Sequence, residues 1–201
     1  MTDDDRPTTR QRVLDAALRC FARDGFHGAS MQQICADAGV SPGALYRYFR
    51  SKDDLIVALV EADREHALAM LHAALDRADP RDGLRALVGA AASDLRDPDR
   101  MAMRLEVSAE AARNPRAREA VLSLHHAAIA VIAAHIADGQ DRGVYGRHLP
   151  AESLARLLMA LGDGIGCWCA LEMPAAPEAL QDAMRQAVER LLLPNLPDSP
   201  C

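Results

Sequence analysis

Gly43, Ala44, Tyr46, Arg47 and Tyr48 are residue types that recognise nucleic acid, and they crowd into one short stretch, SPGALYRYFRSKDDL. Small residues let a backbone approach a phosphate closely. Tyrosine hydroxyls donate to phosphate oxygens, and a guanidinium reaches either a phosphate or a guanine edge. Ser41 is a good N-cap and Pro42 suits a first helical position, so a helix is expected from Pro42 to Phe49. At about 100° per residue, Leu45 and Phe49 fall on one side of it, leaving Gly43, Ala44, Tyr46 and Arg47 on the flanks and the opposite side. Lys52, the only lysine of the chain, follows at the head of the next helix, where it either meets phosphate or is simply solvated.

These side chains need a scaffold, and the preceding residues supply one. Ser30 stands three residues before Gln33, and Ser51 three before Asp54, which marks two helix starts. Met31, Ile34, Cys35 and Ala38 repeat as one apolar stripe of a short helix, and Gly39 supplies the permissive backbone for a turn. Thr8 or Thr9 can cap an earlier helix that carries Val13, Ala16, Ala17, Cys20 and Phe21 on one face and ends near Gly25. Two short helices joined by a tight turn, braced by a third, form a helix-turn-helix, which places its second helix in the major groove.

The motif SPGALYRYFRSKDDL, preceded by GFHGASMQQICADAGV, resembles the DNA-binding motif of the TetR family of bacterial transcriptional regulators over roughly Thr8 to Val60. The resemblance implies that Ser30, Gln32, Ser41, Gly43, Ala44, Tyr46, Arg47, Tyr48 and Lys52 sit where the family touches DNA. It further implies that Leu45 and Phe49 hold the recognition helix to its domain, and that Lys52 meets phosphate.

Charge is distributed to match. The chain carries 23 Lys and Arg against 29 Asp and Glu, a net of −6, yet from Arg6 to Lys52 eight basic residues face three acidic ones. A basic N-terminal part and an acidic remainder suit a protein that docks one face onto double-stranded DNA. Five cysteines without framework spacing fit a reducing compartment, and Cys20 and Cys35 lie on apolar stripes. No apolar run is read as long enough to span a membrane, and the acidic, polar N-terminus is not that of a signal peptide, so a soluble cytoplasmic protein with no membrane partner is expected.

The remainder reads as helix throughout. A long fourth helix runs from Ser51 toward Asp76, and further helices are expected at Asp82 to Leu95, Pro98 to Arg113, Pro115 to Gly139, Ala151 to Met173 and Pro177 to Leu193. The fold class is all-α: a three-helix DNA-binding domain over residues 1–52, then a helical ligand-binding and dimerisation domain over 53–201. Leu154, Leu157, Leu158, Leu161 and Ile165 form one apolar stripe, and Leu180, Met184, Val188 and Leu191 lie on another. Paired copies can bury both in a four-helix interface, as the resemblance implies for a homodimer reading a near-palindromic operator.

The resemblance also implies a pocket for a small-molecule effector of unknown class among the middle helices. Candidates are Met101, Met103, Arg104, Leu105 and Ser108, then Leu122, His125, His126 and Ile129, and finally Asp163, Cys167 and Trp168. Neither His125 with His126 nor Cys167 with Cys169 converges on one helix face, so no metal signature results. No nucleophile elbow, phosphate-binding loop or metalloprotease helix is present, so neither catalytic residues nor a cofactor is expected. The resemblance points to a repressor; an activator or a ligand-independent regulator would share the same DNA chemistry.

Overall fold

The computed structural model of the chain describes residues 8–95, 97–172 and 178–192, in the last two segments without the side chains at 98, 170, 172 and 178–181. Nine α-helices and no strand occur among the described residues: α1 (Thr9–Gly28), α2 (Met31–Ala38), α3 (Pro42–Tyr48), α4 (Lys52–Leu75), α5 (Pro80–Asp94), α6 (Pro98–Ala111), α7 (Pro115–Asp141), α8 (Ala151–Glu172) and α9 (Glu178–Leu192). The expected ends at Met173, Pro177 and Leu193 lie outside the described residues.

Local chemistry explains most helix starts. Thr8 accepts the Gln11 N–H, Ser30 and Gln33 form a reciprocal capping box, and Ser41 accepts the Ala44 N–H. Asp79 accepts the Arg81 N–H at the head of α5, and Asn114 accepts the amides of Arg116 and Ala117 at the head of α7. Two glycines act differently from expectation. Gly25, at φ 71°, breaks α1 internally rather than ending it, and one further turn follows to Gly28. Gly139 lies within α7, where a Cβ would collide with the Tyr145 ring; it permits a close approach and does not end the helix.

The chain forms two compact units. One takes the chain up to Arg64 together with Asp99–Leu124, and the other takes Glu65–Pro98 and the chain from His125 onward. The first therefore joins α1 to α3 with the start of α4, most of α6 and the start of α7. Its core includes Val13, Leu14, Phe21, Ile34, Leu45, Phe49, Leu55 and Val107. The second unit is built around Leu71, Leu84, Ile132, Ile136, Leu154, Met184, Val188 and Leu192. A polar knot sits at the α5 start, where the Tyr145 hydroxyl donates to the Pro80 carbonyl at 2.6 Å and His135 Nε2 stands 3.1 Å from the same oxygen. Burial drives the His135 pKa down and that of the Tyr145 phenol up.

One sequence expectation fails here. An 18-residue window of α7 has a mean hydropathy of 1.8, so the chain does contain a helix long and apolar enough, by length and composition, to cross a membrane. Three histidines interrupt that apolar run, yet residues 120–137 contain no Asp, Glu, Lys or Arg. Part of its apolar content has an internal use, because Ala128, Ile132 and Ile136 are buried in the second unit.

Candidate nucleic-acid interface

The α2–turn–α3 segment is fixed from both sides. Gly39 adopts the left-handed conformation (φ 62°, ψ 40°), and its N–H turns back to the Cys35 and Ala36 carbonyls. From α1, Arg12 Nη2 donates to the carbonyls of Ala38 and Gly39 at 2.7 and 2.9 Å. A guanidinium thus satisfies the orphan carbonyls at the end of α2 and sets the turn. Arg12 was not among the residues expected from sequence, because its partners are backbone atoms 26 and 27 positions away. The helix ends at Tyr48 rather than the expected Phe49, which follows as its extended C-cap; Leu45 and Phe49 are both buried, and each buried side chain stabilises the docking of α3 by about 1.5–3 kcal/mol. Arg10 places its guanidinium 5.7 Å from the centre of the Phe49 ring.

What α3 leaves outward is the expected set. Tyr46 is 50% exposed and Tyr48 41%, with Arg47 stacked on the Tyr48 ring at 5.1 Å and donating to its hydroxyl at 3.3 Å. A Cβ built on Gly43 meets nothing within 4 Å. Gln32 is exposed on α2, and Ser41 and Ala44 flank the same end of α3. Ser30 is engaged as a cap: its hydroxyl accepts the Gln33 N–H at 3.2 Å and donates to Gln33 Oε1 at 2.7 Å.

Lys52 is engaged within the protein. Its ammonium sits on the carbonyls of Phe26, Ala29 and His27, at 2.6, 2.8 and 3.3 Å. It also lies 4.8 Å from the Phe26 ring centre. An ammonium has three donors, and these three carbonyls match them in number. Sequence reading missed this because α1 exposes its terminal carbonyls only after the break at Gly25.

The head of α4 is anchored by other charges. Arg116 pairs with Asp54 at 2.8 Å, Asn114 donates to Asp53 at 3.1 Å, and Asp54 accepts the Arg50 N–H at 2.9 Å. The hydrogen bond from Arg116 holds the Asp54 carboxyl below its ordinary range.

Comparison with known proteins decides what this arrangement belongs to. Residues 13–59 match the model of the bacterial regulatory proteins of the tetR family, and residues 80–193 match that of the C-terminal part of BetI-type transcriptional repressors. The HTH-type transcriptional regulator UidR of Escherichia coli is 32% identical over 161 residues, which cover 78% of this chain and 79% of that protein. The chain belongs to the TetR family. Its structure is similar to that of Salmonella enterica GusR, with a TM-score of 0.78 at 35% identity, covering 92% of this chain and 95% of that one. A further TetR-like structure, a regulator from Saccharomonospora viridis in complex with choline, has a TM-score of 0.73 at 29% identity and covers 90% and 94%. The protein is accordingly a DNA-binding transcriptional regulator, as family members are.

The residues expected to line an effector pocket are divided between the two units. In the first unit Met101 and Met103 are buried, Leu105 is half-buried, and Ser108 and Leu122 are exposed. Arg104 is engaged with buried Asp63 through a two-point contact at 2.9 and 3.0 Å, with Arg100 on the same carboxylate at 3.2 Å. In the second unit His125 stands 3.8 Å from Asp163, so those two are brought together. His126 is exposed, Ile129 and Cys167 are half-buried, and Trp168 is 62% exposed. A separate open groove of about 790 Å³ in this unit is lined by His72, Ala73, Leu75, Asp76, Ala130, Val131, Ala134 and His135. None of its lining residues was among the candidates, since no sequence spacing links α4 to α7.

The two apolar stripes of the last helices divide. Leu154, Met184 and Val188 are buried in the second unit's own core, and Leu158, Leu161 and Ile165 pack partly against it. Leu191 is half-buried, and the Leu180 side chain lies outside the described residues. A different register of α8 carries exposed Leu157, Gly164, Trp168 and Leu171 with half-buried Leu161 at its edge, following each other at alternating four- and three-residue steps. Leu157 and Leu171 are 48% and 69% exposed.

Proposed function

We propose that this TetR-family regulator is a homodimeric repressor in the cytoplasm, that Gly43, Ala44, Tyr46, Arg47 and Tyr48 form its DNA-reading surface, and that a small-molecule effector releases it from a near-palindromic operator. The supporting observation is the split of α3, with Leu45 and Phe49 buried and Tyr46, Arg47 and Tyr48 outward on a turn pinned by Arg12. Gln32, Ser30 and Ser41 border that surface at the ends of α2 and α3. Dimerisation is assigned to the outward α8 face, because an apolar repeat alternating four and three residues is the pattern that packs helix against helix. The second copy places another α3 against the symmetry-related half-site.

The effector is assigned to the C-terminal unit, with His125, His126, Asp163, Cys167 and Trp168 as candidate contacts. Binding can release DNA only through unequal affinity for two conformers. Repression is favoured over activation by the match of residues 80–193 to the C-terminal part of BetI-type repressors. Selection of random duplexes by the purified protein at several salt concentrations tests the reading. A recovered palindrome bound with salt-sensitive affinity is expected; no enrichment at low salt would overturn it.

A further inference from the structure

The turn that leads into the helix-turn-helix is gripped at both ends by charged side chains. At Gly25 the α1 backbone breaks (φ 71°), and the Phe26 N–H donates instead to Glu106 Oε2 on α6 at 2.9 Å. Glycine is needed there twice over: for the left-handed φ, and because a Cβ would lie 3.3 Å from that same carboxylate oxygen. At the far end of the turn, Lys52 Nζ takes the carbonyls of Phe26, His27 and Ala29. A carboxylate therefore faces the donor end of a single helical turn, and an ammonium faces its acceptor end. Both signs complement the turn's dipole. On α6, one turn beyond Glu106, buried Glu110 places Oε2 3.2 Å from His27 Nε2. The next residue after Ala29 is Ser30, the cap that starts α2.

We propose that Glu106 and Lys52 form a clasp through which α6 and α4 set the position of α2, and with it the α3 reading face, so that Glu106 is a positioning residue for DNA recognition. The proposal rests on the DNA-binding reading above and deepens it. It gives the chain's only lysine a different task from phosphate contact. The clasp also offers a physical route by which a movement of α6 changes DNA affinity, since displacing Glu106 uncovers the Phe26 donor and frees the turn to rotate.

Charge arithmetic makes the test sharp. Removing a negative charge from a DNA-binding protein ordinarily strengthens phosphate attraction. Glu106→Ala is expected to do the reverse, weakening binding to the duplex recovered by the wild-type protein about tenfold or more, as loss of a charge-assisted hydrogen bond implies. Glu106→Gln keeps an acceptor oxygen for the Phe26 N–H and is expected to restore affinity to within about threefold, a rescue that loss of charge alone would not give. Lys52→Gln is expected to weaken binding with an unchanged slope of log affinity against log salt, whereas a lost phosphate contact lowers that slope by about 0.9 for each protomer of the dimer. The clasp is refuted if folded Glu106→Ala binds as tightly as wild type or tighter, if Glu106→Gln fails to rescue it, or if Lys52→Gln reduces the slope by about one per protomer. Should Glu106→Ala not fold, the Lys52→Gln slope decides. Failure of the wild-type protein to recover any duplex strikes the DNA-binding reading and not the clasp.

Discussion

Gly43→Ala separates folding from DNA recognition, because the two should move in opposite directions. In the free protein the added methyl enters open space, with no atom within 4 Å, so no steric cost arises. Gly43 is the second residue of α3, and alanine is favoured over glycine in a helix by up to about 1 kcal/mol. The variant should therefore be as stable as wild type or slightly more so. On DNA the same methyl stands between the backbone and the duplex. Displacing one backbone contact to phosphate costs about 1–3 kcal/mol, a loss of roughly 5- to 150-fold in affinity. Thermal unfolding followed by circular dichroism and titration of the selected duplex by fluorescence anisotropy measure the two halves. A stable variant with undiminished affinity would refute the close approach of α3 through Gly43, and with it the assignment of that face.

Three further outcomes are expected. Arg47→Ala should lower the salt slope of binding by about one per protomer if it meets phosphate, or relax base preference at a single position if it reads guanine; neither change would remove Arg47 from the interface. Replacing Leu157 or Trp168 of the outward α8 face by Glu should yield folded monomers in sedimentation, and dimers that persist would place the interface elsewhere. Because Arg116 holds Asp54 below the ordinary carboxylate range, that pair contributes stability above that range and loses it as pH falls through the lower folded-state value. Arg116→Ala should therefore raise the midpoint of acid unfolding, and an unchanged midpoint would show that the pair is idle.

How much of this could be read from sequence depended on how local the determining contact is. The caps at Ser30, Ser41 and Ser51 were legible because donor and acceptor lie three residues apart. The burial of Leu45 and Phe49 followed from helix periodicity alone. Gly139 was misread as a helix end because its partner, the Tyr145 ring, folds back over it from beyond the helix. The His135–Tyr145–Pro80 knot and the groove beside His72 were invisible for the same reason. Among the stripes, periodicity located apolar faces but could not say which face the chain itself covers; Met184 and Val188 are covered, and Trp168 is not.

The basic N-terminal segment shows the same distinction in its charges. Its surplus of positive residues suggested one face docked onto DNA, but charge counted along a chain is not charge available to a ligand. Arg12 satisfies carbonyls at the helix-turn-helix turn, Lys52 satisfies those ending α1, and Arg23 pairs with Asp24 at 2.8 Å. Arg12 and Lys52 thereby tie separate segments of the unit together, while Arg23 is neutralised by its neighbour. A helix end presents carbonyls that need donors whether or not DNA is near, and the cations of α1 and α4 stand close enough to supply them. What remains outward on α3 is one guanidinium flanked by two tyrosines and a bare glycine. Such a surface gains less from long-range attraction than from fit, because a phenol and an exposed backbone reward only a duplex whose phosphates lie at the right depth. Recognition by this protein should accordingly depend on how accurately α2 and α3 are held, which is why a single carboxylate on α6 can matter to a contact made on α3.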